Sequence, residues 1–295
     1  MKIGILGSGY VGQSIGIFYS ELGHDILFHD IDKNTLSTLQ MKGYSTTTNI
    51  SDVVEICDCL LICVPTLTSN TGKMNLGSIL MLLKSCGEAL KEVKKEPILV
   101  VKSTILPGTI QNVMIPMIEK YSNKKVDKDV GVIYSPEFIT EINATWTTNK
   151  NSQITPSNEG RVVLGEGGNK DWGDTLIKEL YSHLKCPVIR TDYKTAEMIK
   201  YASNCMLATK ISYWNEIFLI CQKLGIDSKK VAEAVTLDPR IGKYGSVHGK
   251  AFGGKCLPKD LKAFISFTES MCNIKILKAV DEVNAFMKKN YGVRE

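Results

Sequence analysis

Ile3-Gly4-Ile5-Leu6-Gly7-Ser8-Gly9-Tyr10-Val11-Gly12 is the stretch on which the fold turns. A short apolar run enters a glycine turn of the form G-x-G-x-x-G, and residues 11–22 continue with helical spacing. A strand that passes through such a turn into a helix offers backbone N–H groups and the helix's positive end to an anion. Gly7 permits the tight turn, Gly9 lets the backbone approach a pyrophosphate, and Gly12 lets the helix lie close on the strand. Eighteen residues past Gly12, at the end of the next apolar run, stands Asp30. A carboxylate there accepts from both ribose hydroxyls and repels a 2′-phosphate, which favours NAD over NADP. The pattern predicts a dinucleotide site on Gly7, Gly9, Tyr10, Val11, Gly12 and Asp30, with Lys33 either along the adenosine or an ordinary solvated helix start.

Working outward, strand-like runs at 3–6, 26–29, 60–64, 98–102 and 130–134 alternate with helical stretches such as 11–22, 77–93 and 109–121. Continuously apolar strands separated by helices imply a parallel sheet covered on both faces, and right-handed crossovers make it doubly wound. Runs at 161–164 and 188–189 read as strands around a helix near 171–184, while 45–49 and 149–160 read as polar loops. Residues 196–224 contain no Pro and no Gly, and Met198, Ile199, Ala202, Met206, Leu207, Ile211, Trp214 and Phe218 recur at helical spacing before Gly225. That is a helix of about eight turns, which joins two lobes, forms an oligomer face, or packs as a plain core helix. Two more helical segments lie on either side of a loop at 238–260. The expected architecture is α/β: a Rossmann-type doubly wound parallel sheet over 1–191, then a mainly helical central domain over 192–295 with a long connecting helix.

The 295 residues suffice for about two domains. Thirty-six basic against thirty-one acidic side chains leave +5, and 43% hydrophobic with 23% charged residues excludes a disordered chain, a collagen or a coiled coil. No apolar run approaches the roughly 18 residues of a membrane span. No Lys/Arg cluster or nucleic-acid motif stands out, so small anionic ligands fit the charge better than DNA. The nine cysteines contain no C-x-x-C pair and lie mostly in apolar segments, as expected of small buried side chains in a reducing compartment. The opening MKIGILGSG has no long apolar segment before a cleavage site, so a cytoplasmic location without a secretory signal is expected. His24, His29 and His183 read as surface or packing residues, His248 as the one histidine near a site, and no spacing suits a metal.

Phe252-Gly253-Gly254-Lys255-Cys256-Leu257-Pro258-Lys259-Asp260 carries the chemistry. Paired glycines let the backbone approach a ligand, and Pro258 can start a helix. Cys256 then lies just before the helix's positive end, which favours the thiolate, as do Lys255 and Lys259. The other eight cysteines read as buried and structural.

At this point the chain resembles the UDP-glucose/GDP-mannose dehydrogenase family. The matching segments run in order: GSGYVG at Gly7, VPT at Val64, KST with PGT from Lys102, SPEF at Ser135 and EMIKYASN at Glu197. ATKISYWNE at Ala208, LGID at Leu224, DPRIG at Asp238 and FGGKCLPKD at Phe252 follow. Members oxidise the C6 alcohol of a nucleotide sugar to a carboxylate with two NAD⁺. The resemblance implies that Cys256 attacks the C6 aldehyde to give a thiohemiacetal, then a thioester that water hydrolyses. Lys200 would stabilise the oxyanion, with Asn204 one helical turn on facing the same site. Thr104 and Asp260 would hold water, Glu137 would be the general base with its pKa raised by burial, and Glu141 would lie on the cofactor side. Thr66 and Thr104 would sit near the nicotinamide. Glu137, Lys200, Asn204, Lys210, Arg240, Phe252 and Gly253 would contact substrate, Arg240 in its own site or a neighbouring subunit's. UDP-glucose is the expected substrate and a homodimer the expected assembly. Each role has a plainer alternative: Glu137 as a helix cap, Lys200 as a solvated residue, Arg240 in a surface ion pair.

The sequence also departs from the family. Thr66-Leu67 replaces threonine-proline, Ile139-Thr140-Glu141-Ile142 replaces leucine-arginine-glutamate-glycine after SPEF, and the loop from Arg240 to Phe252 is short. Only residues 261–295 follow Asp260, where members continue into a second Rossmann-like domain over the nucleotide half of the substrate. The chain reads as a natural short form or a fragment. Two other readings compete: a two-electron dehydrogenase of the β-hydroxyacid type, which leaves Cys256 idle, and a catalytically silent nucleotide-binding or assembly protein.

Overall fold

In the computed structural model, residues 1–69, 71–140, 146–147 and 154–294 are described. Met1–Thr66, Asn75–Ile139 and Ile154–Lys200 form one unit; Leu67–Met74, Thr140–Gln153 and Tyr201–Glu295 form a second.

The first unit is built on strands β1 (Lys2–Leu6), β2 (Asp25–His29), β3 (Ser45–Thr47) and β4 (Cys59–Ile62). The short β5 (Leu67–Thr68) and β6 (Met74–Asn75) come next in the chain and make a separate two-stranded sheet. The main sheet then resumes with β7 (Ile98–Val101), β8 (Gly131–Tyr134), β9 (Val162–Glu166) and β10 (Val188–Thr191). Its order is β10-β9-β8-β7-β4-β1-β2-β3, so the chain starts in the middle and winds outward both ways. The reversal between β1 and β4 leaves a crevice at the carboxyl ends of these strands, where open α/β sheets bind ligands. Alternation along each strand feeds both faces. Leu60 and Ile62 of β4 join Leu99 and Val101 of β7 in one core cluster, and Cys59 and Leu61 join Ile98 and Val100 in the other. Helices α1 (Tyr10–Glu21), α2 (Lys33–Met41), α3 (Ile50–Ile56), α4 (Gly77–Glu92), α5 (Ile115–Ser122) and α6 (Asp171–Leu176) cover these faces.

The α/β class is as expected, with two differences in the sheet. Residues 45–47, expected in a loop, form β3, parallel to β2. The segment is three polar residues long because it is a sheet edge with one neighbour, and such edges are kept short and polar. The sheet is also not wholly parallel: β9 pairs antiparallel with β8, and β10 pairs parallel with β9. A parallel return needs a crossover, usually a helix, and none occurs among the described residues between β8 and β9.

Helix α7 (Tyr193–Leu224) has 32 residues, starting three residues before the apolar pattern does. Asp192 explains the early start, since its Oδ1 accepts from Thr195 N at 3.0 Å and its Oδ2 from Thr195 Oγ1 at 2.6 Å. In the second unit α8 (Ser228–Val235), β11 (Ala251–Phe252), α9 (Leu257–Thr268), α10 (Ile276–Tyr291) and β12 (Val293–Arg294) follow. Helices thus dominate this unit, as expected. The apolar pattern of α7 marks its buried side only in part: Ile211 and Trp214 are buried and Ile199, Leu207 and Phe218 half-buried, but Met198, Ala202 and Met206 are exposed, while the polar Glu197, Asn204 and Asn215 are buried. No helix among the described residues is long and apolar enough to cross a membrane.

Candidate functional site

The glycine turn closes as the sequence demands. Gly7 has φ +98°, and a side-chain carbon on Gly12 would stand 2.1 Å from the Gly7 carbonyl oxygen, so α1 lies on β1 only because residue 12 has none. Around Gly9 nothing lies within 4 Å of such a carbon, and no side chain caps α1 there. That open backbone at a helix N-terminus is a cradle of the kind a pyrophosphate fills. Asp30 is fixed beside it: Ser8 N donates to one carboxylate oxygen at 2.7 Å and Asp32 N to the other at 2.9 Å. Each oxygen keeps a lone pair to accept a ribose hydroxyl. Tyr10 and Val11 open α1, with Tyr10 exposed. Lys33 is the exposed first residue of α2, behind its cap Asp32.

At the ends of β4 and β7, Thr66 Oγ1 donates to Thr104 O at 2.8 Å, so these two residues come together. Ser103 Oγ ties the same strand ends by donating to Val64 O at 2.6 Å.

Glu137 and Lys200 also meet. Lys200 Nζ donates to the Glu137 carbonyl at 2.6 Å and stands 3.7 Å from Glu137 Oε1, both side chains being buried. Lys200 is therefore not a solvated helix residue. Glu137 Oε2 accepts from Ile139 N at 2.7 Å. Glu141 lies outside the described residues.

Sequence reasoning missed the groups beneath this pair. Lys102 Nζ, buried, donates to Tyr181 OH at 2.9 Å and to Ser135 Oγ at 3.3 Å, and the two hydroxyls are 2.7 Å apart. Glu159, also buried, accepts from Phe138 N at 3.0 Å. Burial pushes the Glu159 carboxyl above the usual range, while the Lys102 ammonium pulls it back. Glu197, fully buried, accepts from Ile110 N at 2.9 Å and from Gly108 N, holding the loop that follows Thr104. Burial raises its pKa to about 7 against the two hydrogen bonds. Lys102 left one trace in the sequence, a lysine ending a buried strand; Glu159 left none, in a stretch read as polar loop.

In the second unit, Cys256 is exposed and is the N-cap residue of α9, whose second residue is Pro258. The helix start follows the sequence reading. Asp260, in the first turn, is 1% exposed; its Oδ2 accepts from Asn204 Nδ2 at 2.7 Å and its Oδ1 from Lys259 Nζ at 2.5 Å. Asn204 and Asp260 are thus joined, and the Lys259 charge, expected to favour the Cys256 thiolate, is engaged by Asp260. Burial pushes the Cys63, Cys86 and Cys205 thiols up to about 12, which keeps them protonated. One cysteine departs from expectation: Cys272 is exposed, because it follows the end of α9 in a surface turn.

The remaining candidates are spread out. Lys210 Nζ donates to Ile241 O at 2.6 Å. Arg240 is exposed and pairs with Asp238 at 2.6 Å, the surface ion pair named as its plain alternative. Phe252 is buried, and its backbone N–H and carbonyl are both taken by the Asn284 side chain at 2.8 and 3.1 Å, while Gly253 is half-buried. His248 bridges Ser246 O and Ser228 Oγ at 2.7 and 2.8 Å and stacks near Trp214. Among the described residues no cluster of three or more His, Cys, Asp or Glu is placed to hold a metal.

Residues 1–45 and 33–185 match the NAD binding domain of the UDP-glucose/GDP-mannose dehydrogenase family, and residues 194–286 match its central domain. The chain belongs to this family. NAD is the cofactor of the matched N-terminal domain, and the open turn beside Asp30 fits it. Among relatives of this dehydrogenase family, GDP-mannose 6-dehydrogenase of Pseudomonas savastanoi is 34% identical over 98% of this chain and 68% of its own length. UDP-glucose 6-dehydrogenase of Haloferax volcanii is 32% identical over 96% of this chain and 69% of its own. A solved UDP-glucose dehydrogenase from Pyrobaculum islandicum superposes with a TM-score of 0.85 at 28% identity, covering 98% of this chain and 68% of that one. The chain spans about two thirds of the length of the curated relatives it matches.

Proposed function

We propose that this chain catalyses the four-electron oxidation of the C6 alcohol of a nucleotide sugar to a carboxylate, with UDP-glucose as substrate and UDP-glucuronate as product. The observation that carries this reading is Cys256, an exposed thiol at the N-terminus of α9, in the same first turn as the buried Asp260. A helix N-terminus favours thiolate over thiol. Residues 1–191 serve as the cofactor domain, and residues 192–295 carry the nucleophile.

NAD supplies the acceptor for the hydride lost in each of the two oxidations. Glu137 accepts the proton of the C6 hydroxyl. Lys200 has three N–H donors, and those not spent on the Glu137 carbonyl face the developing oxyanion. Cys256 Sγ then forms a bond to the aldehyde carbon, giving a thiohemiacetal, so the aldehyde is not released. The second oxidation leaves a thioester. Water cleaves it, returning the thiol and a carboxylate, and Thr104 and Asp260 take the water-holding roles that the family resemblance implies. Per alcohol, two NAD⁺ and one water are consumed and two NADH and three protons are released. Lys210 and Arg240 bind substrate oxygens with the N–H donors not spent on Ile241 O and Asp238. Exposed Met206, Tyr213, Ile220 and Leu224 along α7 support a homodimer.

The test counts NADH per molecule of product, with product mass read in parallel, across UDP-glucose, GDP-mannose and UDP-N-acetyl sugars. Two NADH and a uronic acid from UDP-glucose are expected. One NADH per turnover would select the two-electron reading. NAD binding without turnover, together with slow iodoacetamide labelling of Cys256, would select the silent protein.

A further inference from the structure

The peptide joining Glu137 to Phe138 is gripped at both ends. Its carbonyl accepts from the Lys200 ammonium at 2.6 Å, and its N–H donates to the Glu159 carboxylate at 3.0 Å. A positive and a negative group thus lie at the matching ends of one peptide dipole, in a buried setting where such interactions are strongest. The ring of Phe138 adds to the grip: Arg161 lies over it at 3.9 Å and Lys200 at 5.1 Å from its centroid. The triangle of Lys102, Ser135 and Tyr181 fixes the start of the same segment. Lys200 has a flexible four-carbon stem, and its ammonium is a point charge with no directional preference of its own. Its direction is set by what its carbonyl partner does, and that carbonyl cannot rotate while Glu159 holds the other side of the peptide plane.

We infer that Glu159 is a positioning residue for Lys200: by holding the Phe138 N–H it locks the 137–138 peptide and so aims the Lys200 ammonium. Its influence on turnover rests on the role assigned to Lys200 above; its influence on geometry does not. No step of the proposed chemistry uses Glu159 itself. Removing its oxygen frees the peptide to tip, and a displacement of about 1 Å at a charge-stabilising group costs up to about 100-fold in rate.

The full chain is compared with Glu159→Gln, Glu159→Ala and Lys200→Ala by ¹H–¹⁵N NMR of the Phe138 amide and the Lys200 ammonium, and by steady-state kinetics. Glutamine keeps an acceptor and loses the charge. We expect its Phe138 amide proton to move upfield while staying protected from exchange, its Lys200 signal to persist, and most of kcat to survive. Alanine should speed Phe138 exchange, broaden the Lys200 signal, and lower kcat about 10- to 100-fold with KM for NAD unchanged. An unshifted Phe138 amide in Glu159→Gln, or an unchanged Lys200 signal in Glu159→Ala, would overturn the inference. Should Glu159→Ala fail to fold, the Gln spectrum alone decides. Full turnover by Lys200→Ala would sink the catalytic reading while the NMR result on Glu159 stands separately.

Discussion

Replacing Glu197 by glutamine should make the difference in stability between the two proteins depend on pH. Glu197 is fully buried on α7 and accepts two backbone N–H groups, from Gly108 and Ile110, at the loop after Thr104. Desolvation outweighs those bonds and the nearby Lys194, and with Asp192 adding repulsion its pKa rises from 4.5 to about 7. A carboxyl raised in the folded state binds its proton more tightly there than in the unfolded chain. Its contribution is therefore fully present below pH 4.5 and lost as pH rises toward 7. The displacement corresponds to about 3 kcal/mol, lost at about 1.4 kcal/mol per pH unit and level above pH 7. Glutamine does not titrate. It offers one acceptor oxygen to two N–H groups, a cost of about 1–3 kcal/mol that is the same at every pH. Urea unfolding of both proteins from pH 5 to 8 should show wild type losing about 2–3 kcal/mol relative to Glu197→Gln. Carbon-13 NMR of the Glu197 carboxyl should titrate near 7. A stability gap independent of pH, with a carboxyl midpoint in the ordinary carboxylate range, would refute the argument that burial dominates at this position.

Cys256→Ala should abolish acid formation, by about 10⁴-fold or more, and leave NAD affinity in calorimetry nearly intact; Cys256→Ser should yield aldehyde or a trapped ester. Full-rate acid production by either variant would defeat the thioester route. Lys200→Ala should lower turnover on the order of 10²- to 10³-fold, as the loss of an oxyanion donor does, with NAD binding by fluorescence little changed. Gly12→Ala places a carbon 2.1 Å from a backbone oxygen, so α1 must lift from β1. That variant should lose about 1–3 kcal/mol in urea and bind NAD more weakly, whereas Gly9→Ala, with open space around it, should keep its stability and lose only affinity.

Much of the first unit could be read from the chain because local chemistry dictates it. Uninterrupted apolar runs fit only strands covered on both faces, and a glycine turn between strand and helix has few other uses. Cys256 was legible for a related reason, since Pro258 marks where a helix begins and thus where its positive end lies. The antiparallel entry of β9 and the edge strand β3 left no such mark, because pairing direction and edge position depend on where distant segments arrive. The helix α7 shows the boundary most clearly. Its length and end were legible from the missing Pro and Gly, but apolar periodicity pointed to Met198 and Met206, which the fold leaves exposed, and away from Glu197, Lys200 and Asn204, which it buries. Periodicity assumes that buried means apolar. That assumption fails where each polar side chain is given a buried partner: Gly108 and Ile110 for Glu197, the Glu137 carbonyl for Lys200, Asp260 for Asn204. Sequence by itself determined the strand–turn–helix that suits a dinucleotide and the cysteine at a helix start. Only tertiary structure decided which charges meet, because those partners lie 56 to 89 residues apart and no local preference links them.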